Sequence, residues 1–523
     1  MVIAIRYQMN VKSARLLRIL FSAFFAILGP GVRCSCAEKP SAPAVAKVAE
    51  LRASAARLPQ SAEAHAELGA ALGEDGNLAE AIQELEKAVQ LKSTYATAFY
   101  NLGTAWIKKA KQAPSTSSVE YYNGVDRALA ALRRAYQLDA TLPRLHDLLG
   151  WLYQQVGDFH AAELELRQAV EAEPGSAQTY NNLGTALMLE EKFPDALRAY
   201  QKAVALQPRM SRAYLNLASA VQASGTQKST LQQRQAAAQS QPASGAAYAL
   251  LGQAQLFNDE PEPAVAELRK ALKLAPDLPI AHFYLGQALN RCEKATEAVA
   301  HLSEAVKLSP DVPEFRVELG AALLKIDRFA EAIAALRHAV EINPADGPAQ
   351  YMLARALQRA GQDADAKKAF ALAATLNQNK HRSEQAGLLT ANAITDLRAG
   401  KLQDAVQKLR EALERRPDYP EARFYLGIAL AQSGDSQGAI ESFQSALQQR
   451  PQSAEIHYNF GIALWQMARA SQALPEFRLA YELNPYDGLA ACALGKALVN
   501  RGQTEEGENA LRRAHELGAC QAP

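Results

Sequence analysis

Apolar residues return every three to four positions in pairs of adjacent stretches. Tyr180, Leu183 and Leu187 form one stripe, and Ala196, Tyr200, Ala203 and Leu206 form the next after a short polar break. That spacing is the helical period, so each pair predicts two consecutive amphipathic helices. The phrase QTYNNLG at 178–184 returns as FYNLG at 99–103, HFYLG at 282–286, RFYLG at 423–427 and HYNFG at 457–461. Taking the residue after the recurring Leu as an anchor gives Gly69, Gly103, Gly150, Gly184, Ala218, Gly252, Gly286, Gly320, Ala354, Ala393, Gly427, Gly461 and Gly495. Ten of the twelve steps are 34 residues; the exceptions are 47 and 39. A fixed period of this length predicts a solenoid of helix pairs rather than one globule.

Each unit carries its own punctuation. Glycine seven residues after the anchor, as Gly76, Gly157, Gly225, Gly361, Gly400, Gly434 and Gly502, ends the first helix, because glycine accepts the left-handed conformation of a C-cap. Proline 24 residues after it, as Pro174, Pro208, Pro276, Pro310, Pro451 and Pro485, closes the second. The anchor is expected to face an alanine twelve residues on, such as Ala81, Ala196, Ala298 or Ala439, so that the two backbones approach closely. A further alanine, nineteen after the anchor in uninterrupted units, occupies all thirteen, from Ala88 to Ala514.

Leu-Gly, the small residue twelve on, the Ala nineteen on and the Pro twenty-four on resemble the tetratricopeptide repeat, over residues 62 to 521. The resemblance implies an all-α, right-handed superhelical solenoid of about 13 helix-turn-helix repeats. It also implies a concave groove, lined by the first helices, that holds a peptide or partner protein. The family's usual Trp at its first core position is replaced by His65, Phe99, His146, Tyr180, Tyr214, Tyr248, His282 or His457. The histidines there read as packed imidazoles.

Carried onto this chain, the family's groove positions give an aromatic series of Tyr100, Phe283, Tyr351, Phe424 and Tyr458. They give amides at Asn101, Asn182, Asn216 and Asn459, and cations at Lys108, Arg291, Lys325, Arg359 and Arg398. With Arg355, the cations from Arg291 to Arg398 form a basic stripe suited to an acidic segment. The Asn series resembles the asparagine ladder of the O-linked N-acetylglucosamine transferase repeat domain, which implies contacts to a peptide backbone. The residue set of the family's chaperone-tail carboxylate clamp is not met, since no Asn follows an anchor directly.

Interruptions divide the array. The 13-residue insertion in the second unit, around 108–124, reads as a surface loop between its helices. The fifth unit has Thr230 where Ala is expected and a Gln-rich second helix, so it reads as a weak joint. The assigned organisation is a capping helix within 38–61, repeats 1–9 over 62–378, a polar seam at 379–385 and repeats 10–13 over 386–523. The last helix has no capping helix after it, which predicts an apolar end face open to self-association.

Charge changes little until the N-terminus is considered. Lys plus Arg number 56 against 55 Asp plus Glu, which argues against a nucleic-acid partner. Residues 1–37 contain five basic and no acidic residues, an uncharged run at Ile19–Val32, and Ser35-Cys36-Ala37. That is the layout of a secretory signal cleaved near Ala37, starting at Met1 or Met9, and its run is too short to span a bilayer. A lipoprotein is not favoured, because Arg33 and Cys34 sit where a lipobox takes an aliphatic and a small residue. Cys292, Cys492 and Cys520 remain, with no disulfide framework and no zinc spacing, so the fold is expected to stand without staples. No catalytic motif, cofactor loop or metal motif is found. The expectation is an exported, non-enzymatic scaffold in the periplasm or envelope; the rival is a component of a polysaccharide-export apparatus of cellulose or alginate type.

Overall fold

The computed structural model describes residues 42–113, 118–156, 159–483 and 487–520. The expected signal at 1–37, the glycine cap Gly157 and the closing Pro485 lie outside them. Among the described residues every regular element is a helix, and each anchor sits on the first helix of a hairpin. In repeat 7 the first helix is Pro279–Arg291 and the second is Ala295–Leu308. Within 62–172, 177–359 and 402–516 the second helix of one repeat packs on the first helix of the next, so hairpins stack in series there. A helix at Ala42–Arg57 precedes repeat 1 and lays Val48, Leu51 and Ala55 on Leu68 and Leu72.

The packing inside a hairpin follows from one missing side chain. A Cβ on Gly184 would lie 2.7 Å from the Tyr200 ring, and one on Gly103 would lie 2.5 Å from Leu132. The anchor therefore makes room for the large residue sixteen positions on in uninterrupted units, not chiefly for the alanine twelve on, whose carbonyl is the next neighbour in repeats 1 and 2. Close approach then seals Ala81, Ala196, Ala298 and Ala439, each 0% exposed.

The left-handed residue that ends the first helix is a property of the turn rather than of glycine. It is Gly76, Gly225, Gly361, Gly400, Gly434 or Gly502 in some repeats and Glu191, Asp259, Glu293, Asp327 or Ala468, at φ of 58–60°, in others. The 34-residue frame holds the turn there even where a side chain makes it costly.

The buried histidines are hydrogen-bonded posts, not apolar filler. His457 Nε2 donates to the Pro451 carbonyl at 2.9 Å and Nδ1 meets Glu476 at 2.6 Å; His65 bridges Pro59 and Glu84 in the same way. Arg423 reaches the matching carbonyl of Pro417, so the position ties each first helix to the turn before it.

Three expectations are corrected. The cysteines do make a staple: Cys492 is disulfide-bonded to Cys520, because residues 517–520 fold back over the first helix of repeat 13. The polar stretch 379–385 lies inside one helix, Asp363–Arg398, since no proline interrupts and most of its polar side chains from 377 to 382 point to solvent; the division between compact units falls later in that helix, at Asn392. The last helix, Thr504–Glu516, turns Glu505, Glu506, Glu508, Asn509, Arg512 and Glu516 outward, so the end it presents is charged rather than apolar.

The chain divides into two compact units, Ser176–Asn392 and Pro30–Gly175 with Ala393–Pro523. The first holds repeats 4–9. The second holds repeats 1–3 and most of repeats 10–13.

Candidate partner-binding groove

In the unit 176–392 the groove is shaped by the fifth repeat. Position sixteen, Leu302 in repeat 7, is Arg234 in repeat 5, and position twelve is Thr230. A guanidinium cannot fill the pocket between two helices without losing its hydration, and burial pushes Arg234 below the ordinary arginine range. The helices Ser211–Ser224 and Gln227–Ser240 accordingly share almost no interface.

The freed first helix leans onto repeats 6–8 instead. Arg212 pairs with Glu314 at 2.9 Å, Ser211 bonds Ser309 at 3.1 Å, and Arg209 pairs with Asp277. Gln253 donates to the Tyr214 carbonyl at 3.3 Å and to the Tyr284 hydroxyl. Gln253 and Tyr284 hold groove positions of repeats 6 and 7, yet they are 4% and 3% exposed. The concave face of those repeats is covered by the chain's own helix. The signal for this was present as Arg234, a charged residue at a core position.

The expected groove residues of this unit therefore fall into separate classes. Phe283 is 3% exposed and stacks on Phe315 at 4.6 Å, so it belongs to the packed layer. Asn216 donates to Asn181 Oδ1 at 2.9 Å, and buried Asn182 accepts from Gln178 at 2.8 Å. These amides bond other side chains of the solenoid.

The cations cap helices. Arg291 donates to the Leu256 carbonyl at 2.9 Å, Lys325 to Asn290 at 2.7 Å and Arg359 to Leu324 at 2.9 Å. Each acceptor lies near the C-terminal end of the preceding first helix, where carbonyls lack helical donors and the dipole is negative. Arg359 also pairs with Asp327 at 2.5 Å, and Arg291 lies 3.8 Å from Asp259. Glu318, which the groove reading missed, sits among Gln287, Arg291 and Lys325; burial raises its carboxyl, against the pull of those neighbours. The stripe is largely neutralised by its own ladder. Tyr351, at 47% exposure, and Arg355, exposed with no side-chain partner, are what repeat 9 offers to solvent, beside the exposed edge of Arg359.

In the other unit, Lys108 donates to the Gly73 carbonyl at 2.8 Å, the same inter-repeat cap. Phe424 is 6% exposed and lies against Phe443, so it too is core. Tyr100 and Asn101 are half-buried, and burial raises the Tyr100 phenol. Tyr458, half-buried, is pushed up to about 12 by burial and by Asp487. Asn459 donates to the Glu455 carbonyl at 2.9 Å, and Arg398 is exposed. Among the described residues no group of His, Cys, Asp and Glu is placed to hold a metal ion, and no helix is long and apolar enough to cross a membrane.

Three family models match the chain. One described as tetratricopeptide repeat covers residues 148–210, 182–226, 249–313, 293–348 and 390–454; another so described covers 327–391; a TPR repeat model covers 74–109. No curated protein matches the sequence. Among solved structures, the APC/C hetero-tetramer Cut9-Hcn1 matches at 14% identity and a TM-score of 0.27, over 91% of this chain and 96% of that one. A thermophilic TPR protein of Thermus thermophilus matches at 24% identity and a TM-score of 0.28, over 35% of this chain and 100% of that one. The TPR domain of P58(IPK) matches at 16% identity and a TM-score of 0.23, over 85% and 99%.

Proposed function

The chain belongs to the tetratricopeptide repeat family, and from that premise we propose that it is an exported, non-enzymatic scaffold holding protein segments on the open concave positions of its repeats. The observation that carries the reading is the division of groove positions. Gln253, Phe283 and Tyr284 of repeats 6 and 7 are buried internally, whereas Tyr351 and Arg355 of repeat 9 stand exposed on a rigid helix, Gly347–Arg359. An aromatic face beside a guanidinium suits a peptide carrying an acidic side chain next to an apolar one.

Export to the periplasm or envelope is supported by the basic and apolar pattern of residues 1–37 and by the Cys492–Cys520 bond, which is of the kind that persists in oxidising compartments. The polysaccharide-export reading asks for a row of exposed rings for sugars to stack on; Tyr351 is the one large exposed aromatic among the described residues. The protein reading is therefore preferred.

In-cell crosslinking and affinity capture of the full-length protein from fractionated cells tests both parts. A mature N-terminus at Glu38 with a reproducible set of envelope proteins is the expected result, with capture reduced by Tyr351→Ala and Arg355→Glu. An uncleaved cytosolic bait overturns export. A processed bait whose partners are unaffected by both substitutions overturns the groove assignment.

A further inference from the structure

The insertion in the second repeat, expected as a loop, instead lengthens the helices on either side of residues 114–117, which lie outside the described residues. It lengthens the second helix, Val119–Leu138, to 20 residues, against 14 for its counterpart in repeat 1. Tyr122, Asp126 and Arg133 fall at i, i+4 and i+11, which is one helical face. Within the unit formed by repeats 1–3 and 10–13, that face lies across the turns joining repeats 10, 11 and 12 and the C-terminal end of the helix Ala470–Leu483. Arg133 donates to the Leu483 carbonyl at 2.5 Å and to the Tyr153 hydroxyl at 3.0 Å. Asp126, 1% exposed, lies 3.8 Å from Arg450, which lies 3.6 Å from Glu421. Tyr122 is set among Glu421, Arg416, Arg450 and Asp126, and Arg416 stacks on Tyr419 at 4.8 Å.

This contact is built unlike the seams of the solenoid. At the hairpin crossings a glycine meets a fully buried apolar side chain, as Gly286 meets Leu302 and Gly320 meets Leu336. Here Asn123 Oδ1, both Asp126 oxygens, Arg416 Nη2, Glu421 Oε2, Gln449 Oε1 and Arg450 Nε are buried without a hydrogen-bond partner. Charges taken out of water and held beyond hydrogen-bond distance recover little of their desolvation cost. Such a joint separates far more readily than an apolar one.

We propose that the helix Val119–Leu138 is a strap that reversibly docks repeat 2 on the turn edge of repeats 10–12, with Asp126, Glu421, Arg416 and Arg450 as its lock. Closing the strap covers that edge; releasing it exposes a row of charged and aromatic side chains. Asp126 makes the lock respond to acidity. Burial pushes its carboxyl up to about 6, against the attraction of Arg450 and Arg133; Glu421 adds to the rise and His457 opposes it. A proton is bound more tightly in the closed form, so closure gains as pH falls through 6 and loses that gain as pH rises above it. Between pH 7.5 and 5.0 the closed-to-open ratio should rise roughly tenfold.

Spin labels at Glu120→Cys and Gln448→Cys in the full chain, with Cys34→Ser, Cys36→Ser and Cys292→Ser, read the strap by their distance distribution. The expected result is a mixture at pH 7.5 that shifts to the short distance at pH 5.0. Asp126→Asn should give the short distance at both pH values, and Arg450→Met should lengthen it at pH 7.5 while leaving closure at pH 5.0. Helix content by circular dichroism separates strap release from melting of the repeats. A single short distance, unchanged by pH and by both substitutions, would show a permanent seam and overturn the proposal. So would a pH shift that survives in Asp126→Asn.

Discussion

Repeats 5 and 7 share a period, an anchor position and a closing turn, yet one is a tight hairpin and the other is opened. In repeat 7, Leu302 fills the space above Gly286 and Ala298 seals the crossing, both side chains at 0% exposure. In repeat 5, Ala218, Thr230 and Arg234 occupy the same three places, and Ala237 is only half-buried where its counterpart Ala305 is fully buried. These three positions out of 34 separate the open hairpin from the paired one. The consequence reaches the neighbours, because the unpaired helix then covers the groove of repeats 6 and 7.

Transferring the defect is the most severe way to break the comparison. Leu302→Arg should cost about 3–5 kcal/mol, a cavity plus an unpaired buried charge. Urea denaturation would measure it, and hydrogen exchange should show residues 279–308 losing protection. A global loss below about 1 kcal/mol, the size of an ordinary surface change, would mean that position sixteen does not govern pairing.

The reverse exchange sharpens it. Thr230→Ala with Arg234→Leu should close repeat 5 and stabilise the protein by about 1–2 kcal/mol, since a leucine side chain is buried in place of a charge. Amide exchange should slow in both helices, 211–224 and 227–240. Peptide binding at repeats 6 and 7 would then become measurable, because their groove positions lose their internal cover.

Smaller effects come from the turn. Repeat 5 ends its first helix with Gly225 at φ of 67°, and repeat 7 with Glu293 at 60°. Glu293→Gly should therefore stabilise by about 0.5–1 kcal/mol, and Gly225→Ala should destabilise by a similar amount. Thermal melts of the two variants should move in opposite directions. The smallest effect is expected for Lys325→Met, which removes one inter-repeat cap and should cost about 0.3–1 kcal/mol, less at high salt.

The groove was only partly legible. The cations lie on the first helices, but their reach is not written in the sequence: a side chain long enough to meet a ligand is also long enough to meet a carbonyl 35 residues earlier, as Lys108, Arg291, Lys325 and Arg359 do. Phe283 and Phe424 show the same ambiguity. Their register puts them beside the groove, and only the neighbouring Phe315 and Phe443 rings turn them into core. Tyr351 has a ring neighbour too, Phe370 at 5.4 Å, yet keeps 47% of its surface exposed.

What the chain's pattern determined by itself is everything that repeats: the hairpin, its 34-residue frame, the small residue at the crossing and the alanine nineteen on. These follow from local physics, since helical periodicity, the left-handed cap and proline act over a few residues and are then restated. Tertiary structure alone decided what does not repeat. Asp126 and Arg450 lie 324 positions apart in the numbering, and nothing in either neighbourhood announces the other. Cys492 and Cys520 are joined because the last residues fold back over repeat 13. Contacts of that kind depend on side chains brought together from distant parts of the chain, and no local period restates them.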